Sequence, residues 1–354
     1  VINKDGLIEE VGSGQPRIDY KDDSKGALLL EPSRTNLVSY SEAFDNSAWV
    51  KGFNIATTPI VTPNQSISPD GNITSDKIVF PIVSSGFSIV TRPITVTNNY
   101  YSQSIYLKGE LGNETIWLMN TKDGITYYEI ECNLTTQWQR FNYSALLTSG
   151  ADNIQFGIDT RSATQSSNTI QTIYAWGAQI EEGSYATSYI PTQGGVVTRL
   201  VDACYNDNLA NVIGQTEGTF YLETVPLNSS TNYTERVMQF ESSGSGFMTI
   251  QRYSNSNITF YGTNGSNNWS IQGTGLFVGG QTIKIAGAYK DNDIALYVNG
   301  VQIGTNTSAN APQTEKLRFA NNPSGSLGYV GTHKEVKLYN TRLSNSELAA
   351  LTQV

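Results

Sequence analysis

The chain has 354 residues, a net charge of −9 and only 15% charged residues. Its length fits about two domains of ordinary size. The acidity argues against nucleic acid or an anionic membrane surface as partner, because phosphate binding draws on clustered Lys and Arg and the 22 basic residues here are scattered. With so few charges, the polar surface must come from Ser, Thr, Asn, Gln and Gly. Two cysteines, Cys132 and Cys204, make no disulfide framework and read as unpaired thiols, so stability has to come from packed cores. No stretch approaches the run of about 18 apolar residues that membrane insertion needs. The chain opens at Val1 without a visible signal peptide and is read as part of a longer product whose upstream region is missing.

Residues 1–26 are polar and turn-rich and read as a connecting segment. "ALLL" at Ala27 is the expected first strand, ended by Pro32, which cannot donate to a ladder. "NLVSYS" reads as the next strand. "FDNSAW" reads as a turn whose Phe44 and Trp49 pack into the sandwich. Short runs rich in β-branched and aromatic residues then follow, from "KIVF" through "TIWLMN", "TYYEIE" and "QRFNYSALL" to "NIQFGID", separated by Gly, Asn, Asp or Pro. Trp138 falls at an expected core position. The stretch Tyr189–Gly214, with Pro191, Gly194 and Gly195, breaks the pattern and contains the linker. The strand texture returns from "TFYLETV" to "EVKLYN". Only "LSNSELAALTQV" reads as helix, with Ser344 as N-cap and Glu347 three residues on, a capping box. Strands at this spacing predict an all-β protein of two antiparallel β-sandwich, or jelly-roll, domains in tandem. The expected boundaries are 27–192 and 215–354, with 193–214 between them.

Two blocks carry a resemblance. "GLIEEVGSGQPRIDY" followed by "LLLEPSRTNLVSYSEAFDNSAW", and later "YAWGAQIEEGSYATSYIPT" followed by "VTRLVD", resemble stretches of bacteriophage and prophage tail or head fibre (spike) proteins that bracket a carbohydrate-binding-module-like jelly roll. "IKIAGAYKDNDIALYVNGVQIG" and the closing "KLYNTRLSNSELAALT" resemble a laminin-G or concanavalin-like lectin sandwich. The resemblance implies a fibre component at the virion surface that meets a glycan of the host cell surface. It implies attachment to other virion proteins through the missing upstream region and assembly as a homotrimer. It transfers no catalytic residue.

A sugar site needs a flat ring to stack on the apolar C–H face and neighbouring polar side chains for the hydroxyls. In the first domain Trp117, Asn120, Tyr127 and Tyr128 are the candidates. In the second they are Tyr253, Tyr261 and Trp269, within an asparagine-rich hairpin region. The alternative for each tryptophan is a place in the core. A zinc site is not expected, since His333 is the only histidine. Calcium takes oxygen ligands, so Asp22 and Asp23, or Asp291 and Asp293, leave room for a structural calcium, although turn formation explains the latter pair. No nucleophile signature accompanies His333 and no carboxylate pair stands out, so no enzyme activity is expected. A purely structural decoration module is the principal alternative to an adhesin, ahead of a polysaccharide depolymerase.

Overall fold

The structure is a computed structural model and describes residues 1–52, 58–81, 88–121, 127–147, 154–160, 171–227, 234–253, 256–319 and 328–354. The chain divides into two units. Residues 33–199 form an inserted unit, and residues 1–32 together with 200–354 form a split unit. Both are antiparallel β-sandwiches, so the expected fold class holds.

The inserted unit has two five-stranded sheets. One runs Tyr127–Asn133, Thr115–Thr121, Ile154–Asp159, Ile89–Ile94, Val50–Lys51; the other runs Gln139–Leu147, Asn99–Gly109, Gln171–Glu182, Ser75–Phe80, Ile60–Ser66. Alternation supplies the core. Ile116 and Leu118 from the first sheet meet Ile105, Leu107, Ile173 and Ile78 from the second, and Phe44 and Trp49 pack among them with ring centroids 4.6 Å apart. The "FDNSAW" turn is closed by Lys51, whose Nζ donates to the carbonyl oxygens of Asp45 at 2.7 Å and Asn46 at 2.9 Å and lies 3.4 Å from that of Trp49.

The split unit has a seven-stranded sheet, Ile18–Asp19, Ala27–Leu30, Gly331–Tyr339, Glu217–Pro226, Ile283–Lys290, Ile294–Val298, Val301–Asn306. Facing it is a six-stranded sheet, Cys204–Asn206, Lys316–Phe319, Glu235–Glu241, Phe247–Tyr253, Asn257–Thr263, Asn268–Gly273. Phe220, Leu222, Ile285 and Leu296 of the first sheet pack against Phe240, Met248, Ile250 and Phe260 of the second. Asn299 and Gly300, both at positive φ, turn the hairpin between Ile294–Val298 and Val301–Asn306, as an Asn-Gly pair favours. The helix Asn345–Leu351 carries the expected capping box and buries Leu348 against Ala286, Ala288, Ala295 and Tyr297.

Three expectations change. Ala27–Leu30 does not open the first sandwich. It pairs with Gly331–Tyr339 of the split unit, Leu28 opposite His333, and buries Leu30 in that unit's core. A four-residue apolar run advertises a strand but not its partner, which here lies near the other end of the chain. The segments expected to connect are also built into sheets. Ile18–Asp19 pairs with Ala27–Leu30, and Cys204–Asn206 with Lys316–Phe319. "NLVSYS" is not a regular strand. Instead Arg34–Asn36 pairs with Val197–Arg199 in a small ribbon. Both thiols are free, Cys132 buried in one unit and Cys204 half-buried in the other.

Candidate functional site

In the six-stranded sheet of the split unit, alternate residues face away from the core, and their side chains form one connected band. Arg318 stands opposite Gln239 in the register and Lys316 opposite Glu241. Arg318 Nε donates to Glu241 Oε2 at 2.8 Å, and its Nη2 donates to Asp207 Oδ1 at 3.3 Å. Its guanidinium carbon lies 4.7 Å from the centre of the Tyr205 ring. Gln239 donates to Glu241 and accepts from Arg236. Arg236 in turn covers the Phe247 ring at 4.8 Å, and Phe247 meets Tyr261 with centroids 5.6 Å apart. The band therefore runs from Tyr205 through Arg318, Glu241, Gln239 and Arg236 to Phe247 and Tyr261. Each polar member is held by a neighbour.

Charge compensation shapes the two guanidinium groups differently. The hydrogen bond to Glu241 raises the Arg318 pKa above its ordinary value, whereas burial lowers that of Arg236. Gln239 and Glu241 are buried and hold the two guanidinium groups in place, so the row presents the forked donors of Arg318 and Arg236 with aromatic rings at both ends. That set can bond vicinal hydroxyls while a ring covers a C–H face. The polar row was legible only as the outward positions of "ERVMQFE" and "KLRF". A register shift between Arg236 and Met238 obscures the alternation, and Tyr205 falls in the segment expected to be linker.

The sequence candidates scatter. Tyr261 lies in the band, and Tyr253 is 49% exposed at the end of its strand. Trp269 is a correction: it is buried in the core, with its indole edge-on to Phe260 at 4.9 Å and its Nε1 donating to the Asn310 carbonyl. Its cross-strand partner is Gly262, where a Cβ would lie 2.2 Å from the indole, so the glycine makes room for the ring. Trp117 and Asn120 are also corrections to an exposed sugar platform, being 7% and 2% exposed. They share a strand but point to opposite faces, Trp117 away from the core and Asn120 on the side of Leu118. For Tyr127 and Tyr128 the backbone register is described, opposite Thr121 and Asn120; their side chains lie outside the described residues. Trp138 departs from its expected core position. It is half-buried, with Lys108 Nζ 4.9 Å from its ring centre.

Among the described residues no group of three or more His, Cys, Asp or Glu could hold a metal ion. Asp291 accepts from the Ala311 N–H, and Asp293 pairs with Arg342 at 2.8 Å, so both flank the turn at Asn292 and tie it to later segments of the chain. His333 is buried, stacked on Tyr329 and hydrogen-bonded through Nδ1 to Thr224 Oγ1, far from the setting of a general base. Among the described residues no helix is long and apolar enough to cross a membrane.

Comparison with known proteins finds one family match, within the split unit. The family described as Concanavalin A-like lectin/glucanases superfamily matches residues 206–349. No curated protein matches the chain by sequence. Among solved structures, the chain is similar to the CBM40 of the Ruminococcus gnavus IT-sialidase bound to α2,3 sialyllactose, at 15% identity and TM-score 0.37, over 41% of this chain and 86% of that one. It is similar to the heptameric SAP-like pentraxin from Limulus polyphemus, at 11% identity and TM-score 0.36, over 43% and 75%. It is also similar to domain 4 of AbnA, a GH43 extracellular arabinanase from Geobacillus stearothermophilus in complex with arabinotriose, at 14% identity and TM-score 0.36, over 46% and 84%.

Proposed function

We propose that this chain is a non-catalytic glycan-binding adhesin of a virion fibre or spike, displayed on the virion surface to meet a host cell-surface glycan. The observation that carries the glycan reading is the Tyr205–Arg318–Glu241–Gln239–Arg236–Phe247–Tyr261 band, all of which except Tyr205 falls in the stretch 206–349 matched by a lectin family. The virion reading is supported by the two sequence blocks that resemble fibre proteins. A single face whose polar groups already bond one another binds weakly, because hydroxyl desolvation offsets most of the bonding gain. Assembly as a homotrimer, anchored to other virion proteins through an upstream region, converts weak sites into avid attachment. A structural decoration module is the second reading, favoured by the burial of Trp117 and Trp269.

A glycan array probed with the purified chain tests the proposal. Binding is expected, and Tyr205→Ala and Tyr261→Ala are each expected to weaken it about tenfold while leaving the melting temperature unchanged. Binding to no glycan favours the decoration module. Release of reducing ends from host polysaccharide overturns the non-catalytic reading. Light scattering on the purified chain tests the trimer; a monomer removes the avidity argument.

A further inference from the structure

We infer that the inserted unit holds a second, separate binding site, for a neutral saccharide ring, in the cavity between Arg34, Tyr101 and Glu182. The cavity measures about 450 Å³ and is lined by residues of the inserted unit alone. That volume lies within the usual range of small-ligand pockets, roughly 300–1,000 Å³. Leu37 and Val96 supply an apolar patch on its wall, and the rest of the lining is polar.

The polar groups are fixed by bonds within the unit. Arg34 Nη1 donates to the Ser33 carbonyl, the guanidinium carbon lies 5.4 Å from the Tyr185 ring centre, and Nε stands 3.7 Å from Glu181 Oε2 without a hydrogen-bond partner. Glu181 is fully buried and holds its own position by accepting from Gln179 Nε2, Thr187 N and Thr187 Oγ1. Gly183 completes the fit. It sits at φ +147°, and a Cβ there would lie 2.7 Å from Arg34 Nη2. Across the cavity the Tyr101 hydroxyl accepts from Thr97 N at 3.1 Å, and Glu182 accepts from Asn99. Side chains locked in this way lose little freedom when a ligand arrives.

The chemistry of the lining selects the ligand. A guanidinium and a carboxylate on one cavity bond vicinal hydroxyls, which both donate and accept, and Leu37 and Val96 suit the C–H face of a sugar ring. Arg34 already faces Glu181, and Glu182, held by Asn99, has no ion pair among the described residues and adds its carboxylate to the wall. An acidic sugar would meet that charge, so a neutral ring fits better.

Saturation-transfer-difference NMR on the whole chain, with glucose, galactose, N-acetylglucosamine and sialic acid at millimolar concentration, tests this site. Transfer to at least one neutral sugar and none to sialic acid is expected. Glu182→Gln and Arg34→Lys should each weaken that binding about tenfold. Glu182 is exposed, so its variant should keep the wild-type melting temperature. Tyr205→Ala, which disables the band in the split unit, should leave this binding intact, so failure of either site is read independently. Absence of transfer from every neutral sugar, transfer indifferent to Glu182→Gln, or selective binding of zwitterionic amino acids instead would overturn the inference.

Discussion

At the scale of single residues, the aromatic side chains separate by what surrounds them rather than by type. Trp117 and Trp269 are buried, while Tyr205 and Tyr253 keep about half or more of their surface exposed. Trp117→Ala is therefore expected to cost about 3 kcal/mol of stability in the inserted unit. A variant that loses glycan binding at an unchanged melting temperature would place Trp117 in a site instead. Lys51 does the work of a cation in its turn. Its ammonium bonds two carbonyl oxygens and approaches a third, and burial lowers its pKa. Lys51→Met leaves those carbonyls without their donor and is expected to cost about 1–2 kcal/mol, read as a lower melting temperature. An unchanged melting temperature would mean that water replaces the ammonium without loss.

At the scale of elements, the clearest local signals are the ones found in place. The Asn299–Gly300 turn and the Ser344–Glu347 capping box are short-range chemistry, and each is written within four residues. Ser344→Ala removes the side chain that accepts from the Glu347 N–H and is expected to cost about 1 kcal/mol, seen as a small drop in the melting temperature of the split unit. No drop would mean that Leu348 packing alone holds the helix. Strand existence was equally legible from alternation. Strand partnership was not, because the continuous apolar run of Ala27–Leu30 carries no information about which edge it joins. The three-residue strands Arg34–Asn36, Val197–Arg199 and Cys204–Asn206 are too short for any period to show. The candidate band was half legible. Tyr261 was expected, but Arg236, Gln239, Glu241 and Arg318 become a group only when Glu235–Glu241 and Lys316–Phe319, far apart in the chain, are laid side by side.

At the scale of the whole molecule, pH acts on the split unit through a polar cluster inside its core. Glu235 and Arg252 are buried with 3.0 Å between charged atoms, and His333 stacks on Tyr329 in the same unit. Burial pushes Glu235 up from 4.5 to about 7 and pulls His333 down from 6.5 to about 3. Between pH 3 and 6.5 the unfolded chain takes up a proton at His333 that the folded chain refuses, so stability at this residue rises with pH. Between pH 4.5 and 7 the folded chain keeps a proton on Glu235 that the unfolded chain releases, so stability there falls with pH. The two slopes oppose each other from pH 4.5 to 6.5. His333→Gln removes only the rising slope, so across that window the variant's melting temperature should fall with pH relative to wild type. Parallel curves would remove His333 from this balance.

The pairing of Leu28 with His333 also sets a timetable for synthesis. At about 5–20 residues per second, the ribosome exposes Ala27–Leu30 on the order of tens of seconds before its partner strand exists. The inserted unit, complete at Arg199, can fold during that wait. The split unit cannot close its seven-stranded sheet until Gly331–Tyr339 emerges. A product stalled between those points carries a finished jelly roll and an apolar strand whose second edge, the one that Gly331–Tyr339 covers, is open, the kind of edge that seeds aggregation.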